Sequence, residues 1–423
     1  MSNVLIQGVG RPEHVLGERR ESTLASGLGG DRVLDDPYPI YERLRSEAPV
    51  FWDASIGAWL VTRYSDVQQG LKNPRLSAQR IPNEAQVERS GMGKLKLLFR
   101  FLEQMMIFRD APLHTKIRGL VNTVFTPSAI EKERHQLKKS IDEMVLAVRE
   151  RGQMDLLADI AQALPITVIA GLLGIDAADR RRFKAWSDDI TAFLGGVKVT
   201  AEITRAAEQS ARELTAYLSW KVKQARESGA DTIIGRLTSV AADGHRLTDD
   251  EVVATCANLL IAGHETTTNL VGNGVLALCD NPEQQARLRN HPGSTRTAIE
   301  EVLRFDSPIQ MLARIATSDH ELHGQSIQAG NVLRFVVGSA NRDAQHFDRP
   351  NVFDIERSDL AHLSFGVGPH FCIGAALARL EAELLIDGLL SGLGPLARSE
   401  HPIEWHQNLF LRGVKALHIT WTA

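Results

Sequence analysis

Cysteine is scarce in this chain of 423 residues: three, at positions 256, 279 and 372. They lie too far apart for a disulfide framework and form no Cys-x-x-Cys zinc pair, so a reducing, cytoplasmic setting is expected. Positive charge is not in excess either, with 48 Lys and Arg against 52 Asp and Glu. That balance leaves no basic footprint for nucleic acid. No long apolar run exists: the longest uncharged stretch, Ile160 to Ile175, contains Gln162 and Pro165 and falls short of the roughly 18 apolar residues that span a bilayer. It reads as a core helix. Val4-Leu5-Ile6 runs straight into Gln7, which is no signal-peptide core, so neither export nor a membrane anchor is expected. No Pro/Gly/Ser-rich linker or repeat divides the chain, and 43% hydrophobic residues suffice for a sizeable core. One domain over residues 36–423, preceded by an extended arm over 1–35, is expected.

What is present is mostly helical patterning. Asp36-Pro37-Tyr38-Pro39 opens a short helix through Leu44, and Val50-Phe51-Trp52 with Ala58 to Thr62 reads as a β-hairpin. From Pro112 to Ile234 the pattern is helical, with breaks at Pro127, Gly152, Gly171, Gly174, Gly195-Gly196 and Gly229. Strand-like runs return at Val332 to Val337 and Leu417 to Trp421. The fold class is therefore mainly α with a small β part.

Thr248-Asp249-Asp250-Glu251 has the form of a capping box, and no stop signal follows until Asp280-Asn281-Pro282. One helix of about 30 residues, roughly 45 Å long, is expected to cross the molecule as a spine. In its middle stands Ala262-Gly263-His264-Glu265-Thr266-Thr267, where a glycine costs up to about 1 kcal/mol relative to alanine, so something there needs space. Leu259, Ala262, Gly263, Thr266 and Leu270 share a face, a greasy wall with one notch and one hydroxyl. His264-Glu265 does not begin a zinc-protease helix, because Thr268 stands where the second histidine is required.

The most informative stretch is Phe365-Gly366-Val367-Gly368-Pro369-His370-Phe371-Cys372-Ile373-Gly374. Gly366, Gly368 and Gly374 permit backbone angles and close approach that a Cβ would forbid, leaving room for a flat, bulky group. A helical pattern from Ala375 follows, and its positive end favours a thiolate at Cys372. A thiolate on an open loop suits a metal, here the iron of heme.

Phe365, Gly368, Cys372 and Gly374 match the heme-binding loop of the cytochrome P-450 family, which this chain resembles from about Asp36 to its C-terminus. The resemblance implies heme b with Cys372 as iron ligand and Gly366 and His370 in the same loop. It implies an oxygen-binding stretch at Ala262-Gly263 with Glu265 and Thr266 as the catalytic acid and alcohol. Glu301 and Arg304 match the family's Glu-x-x-Arg, and Arg357 is the candidate third member of that structural cluster. The heme carboxylates need cationic or hydrogen-bonding partners, for which His114, Arg118, Arg314 and His370 stand at matching positions. Leu113 occupies the place before His114 where the family usually has an acid.

A monooxygenase is implied: O₂ activated on thiolate-ligated iron, and one oxygen atom inserted into a C–H bond or an alkene of a lipophilic small molecule. The pocket is expected between the Leu95 to Ile107 segment, the Phe183 to Val199 region, Leu259, Ala262, Ile309, Gln310, Leu312, Leu409 and Phe410. Polyketides or macrolides, fatty acyl chains, terpenes and steroids are the substrate classes. With no second redox centre in the chain, electrons should come from a separate ferredoxin or flavodoxin with its reductase, and a monomer is expected. A peroxygenase would need no proton relay, so Glu265-Thr266 weighs against it. A non-catalytic binding or recruitment protein would not need the Cys372 loop.

Overall fold

The computed structural model describes Leu28 and residues 33–89, 93–195, 199–229, 231–242 and 245–422. The expected arm over 1–35 lies almost wholly outside these residues. Helices build most of the chain, beside a five-stranded sheet ordered Val50–Asp53, Ala58–Val61, Val332–Val336, Met311–Ala316, Leu76–Ser77. The expected hairpin is there, Val50 facing Val61 and Asp53 facing Ala58. The late strand Val332–Val336 is buried throughout and pairs antiparallel with Met311–Ala316, Arg334 opposite Ala313. No described helix is long and apolar enough to cross a membrane.

The spine begins as its capping box requires: the Glu251 amide donates to Thr248 Oγ1 at 3.2 Å, and the Thr248 amide donates to Glu251 Oε2 at 2.8 Å. It is not one helix, however. The structure gives Asp249–Gly263 and Glu265–Asp280, interrupted at His264. Three threonine hydroxyls account for the break. Thr266 donates to the Ala262 carbonyl at 2.8 Å, Thr267 to Gly263 at 3.2 Å and Thr268 to His264 at 3.0 Å. Such back-bonding draws carbonyls away from the helix axis and bends the chain.

Gly171, read as a break, lies inside the helix Ala163–Leu173, which ends instead on Gly174 in the left-handed region at φ 79°. The core helix expected from Ile160 to Ile175 starts as a π-turn at Leu157–Ala161 before becoming α-helical. The greasy segment before Ile107 forms the helix Lys96–Glu103, which buries Leu98, Phe99, Phe101 and Leu102. Ala375–Leu393 runs on from the cysteine loop and packs against both Glu265–Asp280 and Thr295–Phe305. That packing brings the loop under the spine.

Candidate active site

Three cavities meet at the broken spine. The lower, about 230 Å³, has Leu259, Ala262, Gly263, Thr266 and Leu270 on one side and Phe365, Gly366, His370, Cys372 and Gly374 on the other. The upper, about 200 Å³, shares Ala262, Thr266, Ile309 and Leu312 with it and adds Met105, Leu194 and Phe410. The third, about 670 Å³, is the most polar of the three and is lined by Lys184, Asp188, His264, Glu265, Asn269 and His406 among others.

The cysteine loop is held by its backbone. The Cys372 amide donates to the Phe365 carbonyl at 2.8 Å, closing the loop on itself. Gly366 and Gly368 adopt φ of 67° and 75°, and a Cβ on Gly368 would meet Lys72 Cγ at 3.3 Å. Gly374, by contrast, sits at φ −85°, open to any residue. What it supplies is an amide hydrogen bond to the Cys372 sulfur. Burial nevertheless pushes the Cys372 thiol up, against the Gly374 amide and the Arg118 and Arg379 charges. The Gly374 amide and the two guanidinium charges act toward the thiolate, and a metal cation at the sulfur would add to them.

At the edge of the same cavity stand His114, Arg118 and His370. The two imidazoles lie 4.0 Å apart, centroid to centroid. Burial, then the charge of Arg118, pushes His114 below its usual value; burial, then His114 and three arginines, pushes His370 down to about 3. His114 Nε2 is buried without a hydrogen-bond partner. This cluster is built to receive negative charge. Arg314 is not part of the lining: its Nη1 donates to the Ala313 carbonyl at 2.8 Å, and it acts on the histidines only through its charge.

Glu301, Arg304 and Arg357 form one buried cluster. Arg304 Nε and Nη2 grip the two Glu301 oxygens at 2.7 and 2.8 Å, and Arg357 Nε reaches Glu301 Oε2 at 3.1 Å. Arg304 also donates to the carbonyls of Asn341, Pro350 and Val352. It thereby ties the helix Thr295–Phe305 to the chain leading into the cysteine loop.

Gln310 is the pocket residue that sequence reasoning misplaced. It is buried, with Nε2 donating to the Ser307 carbonyl at 2.8 Å, and it lines neither central cavity. Its amide oxygen packs where a Cβ on Gly338 would stand, so the side chain is spent on the neighbouring backbone instead of the cavity. Leu409 likewise lines a small crevice beside Tyr41 and Trp405 instead of the central cavities.

These observations agree with comparison to known proteins. The family described as Cytochrome P450 matches residues 82–291 and 294–396. The chain belongs to this family. It is 34% identical to the putative cytochrome P450 YjiB of Bacillus subtilis over 95% of this chain and 98% of that one. It is 36% identical to the cytochrome P450 monooxygenase PikC of Streptomyces venezuelae, covering 93% of each. The structure of P450BioI in complex with an acyl carrier protein superposes with a TM-score of 0.87, at 32% identity, over 92% of this chain and 99% of that one. The protein is thus a cytochrome P450 by fold and family, an oxidoreductase class that incorporates oxygen, and the family implies heme-thiolate iron.

Sequence reasoning missed several residues around the P450 site. Thr191 lines the same two cavities as Glu265, its hydroxyl buried without a partner, and Asp188 pairs with His264 at 3.3 Å. Arg80 and Arg334 line the upper cavity. For Arg334 there was a signal, a lone charge inside the otherwise apolar run Val332-Leu333-Arg334-Phe335-Val336.

Proposed function

We propose that this P450 is a monooxygenase that binds heme b through Cys372 and hydroxylates or epoxidises a lipophilic small molecule. The observation that carries the reading is that Cys372 and Thr266 open onto one cavity from opposite walls. The residues present fit the cofactor: a sulfur donor on one side, small residues Ala262 and Gly263 on the other, and an unpartnered imidazole with Arg118 for its carboxylates. When bound, heme supplies the activation of O₂.

The chain's own residues do the rest. Cys372 holds the iron while the Gly374 amide steadies its sulfur. Thr266 donates its hydroxyl proton to the Ala262 carbonyl, so its oxygen lone pairs remain free to accept from a water or a protonated group in the cavity. Glu265 stands between the apolar cavity beside Thr266 and the polar cavity behind it. Burial pushes its carboxyl up, which suits a group that must take a proton on one side and give it on the other. The apolar lining of Met105, Leu194, Ile309, Leu312 and Phe410 excludes water and admits a greasy substrate.

Relatives are named for polyketide biosynthesis (PksS), biotin biosynthesis and vitamin D(3) 25-hydroxylation, which supports a lipophilic substrate. We further assign a monomeric, cytoplasmic enzyme that draws electrons from a separate ferredoxin or flavodoxin. The test is product formed per NADH consumed in Thr266→Ala, with surrogate redox partners. Substrate binding should persist while coupling collapses and hydrogen peroxide rises, since holding the proton-delivering group in position contributes about 10² to 10⁴-fold. Coupling equal to the parent would overturn the role of Thr266.

A further inference from the structure

The upper cavity contains two arginines that no described carboxylate neutralises. Arg334 projects from the strand Val332–Val336 and is 4% exposed. It lines the cavity together with Ala313, its partner in register on the neighbouring strand. Its guanidinium lies 4.3 Å from the centre of the Phe410 ring, and its Nε is buried without an acceptor. Arg80 approaches the same cavity over Phe108, at 4.5 Å, and makes one long contact to the Ala78 carbonyl at 3.4 Å.

Burial pushes both guanidiniums down, each to about 9, so both remain charged at neutral pH. A buried cation without a counter-ion is costly, and the nearby anions are already committed. Asp110 accepts from the Ala78 amide at 2.9 Å and from the Ser77 hydroxyl, and its charge acts on His114 and Arg314. The heme carboxylates, on the reading above, go to His114, Arg118 and His370 in the lower cavity. Arg80 still acts on His370 through its charge; Arg334 does not. Glu265 lines the same chamber but does not act on Arg334 through its charge, so among the described residues Arg334 has no counter-ion there.

We propose that the substrate is an acid whose carboxylate is bound by Arg334, assisted by Arg80, with its apolar body reaching toward Thr266. This rests on the monooxygenase reading and narrows its substrate class. A guanidinium in an apolar wall selects a carboxylate because it offers paired donors where water cannot compete. A thioester, as on a carrier protein, or a methyl ester has the same chain but no charge, so both are disfavoured.

The experiment is equilibrium dialysis of the purified holoenzyme with labelled dodecanoic acid and lithocholic acid, each against its methyl ester. At least one acid should bind about tenfold or more tightly than its ester, as expected for a hydrogen-bonded charged group. Arg334→Gln should abolish that ratio while leaving ester affinity unchanged, and Arg334→Lys should keep part of it. Esters binding as tightly as acids, no binding of either acid, or an undiminished ratio in Arg334→Gln would each overturn the proposal. If the variant does not fold, the ratio in the parent still decides. Failure of the monooxygenase reading would show separately, as a parent without the thiolate CO band or without NADH-dependent product.

Discussion

Arg304 and Arg334 are both almost fully buried, at 0% and 4% exposure, yet their surroundings are opposite. Arg304 grips both oxygens of Glu301 and donates to three backbone carbonyls as well. Among the described residues, Arg334 has the face of Phe410 and no acceptor. A guanidinium whose donors are all engaged by its own chain is part of the frame. One whose donors open onto a cavity has kept them for something that arrives later. Stability and recognition thus use the same side chain in two ways, and the partners decide which.

The largest expected effect breaks the first half of this contrast. Glu301→Gln leaves Arg304 and Arg357 without their shared carboxylate and should cost about 3–5 kcal/mol, read as a drop in the denaturant midpoint with loss of heme retention. A cost below about 1 kcal/mol would show the cluster to be dispensable.

A smaller effect sharpens the contrast with a buried ionisable group that has no ligand to await. Glu381, in the helix after Cys372, is 1% exposed, has an unpartnered oxygen, and is pushed up by burial to about 8. Between its ordinary carboxylate range and about 8, the folded protein holds a proton that the unfolded chain has released, so this residue's contribution to stability falls as pH rises across that window. Glu381→Gln removes the penalty. Its melting temperature should exceed the parent's by a margin that grows from pH 5 to pH 9. A margin that does not change with pH would mean that Glu381 is already ionised in the fold.

The smallest effect concerns Arg334 itself. Because no described residue accepts from its donors, Arg334→Gln should cost no more than about 1 kcal/mol, the size of the lost contact with Phe410, and relief of the buried charge opposes even that loss. A loss as large as that of Glu301→Gln would erase the distinction between the two arginines.

The same contrast explains what was legible in the sequence. The cysteine loop could be read because its glycines, its single sulfur and the following helix are neighbours in the chain. The Glu-x-x-Arg spacing could not be read alone. Glu301 and Arg304 pair in full burial, Glu131 and Arg134 pair at the surface, and Arg45 turns from Glu42 to the carbonyl and hydroxyl of Ser339. Spacing encodes adjacency on a helix; burial comes from what packs over it. The break at His264 depended on three threonine hydroxyls choosing carbonyls one turn back, a choice that competes closely with a straight helix. Gln310 and Arg334 required knowing which strand face meets the cavity, and that follows only from the pairing of strands distant in sequence.

The central claim is that Cys372 alone holds the iron. Cys256 is buried in the core, and its thiol, like that of Cys279, is pushed up to about 12, chiefly by burial. The direct measurement is the CO difference spectrum of the reduced protein and of the three single Cys→Ala variants. The parent, Cys256→Ala and Cys279→Ala should all show the thiolate band, and Cys372→Ala should lose it. A thiolate band that survives in Cys372→Ala would contradict the account.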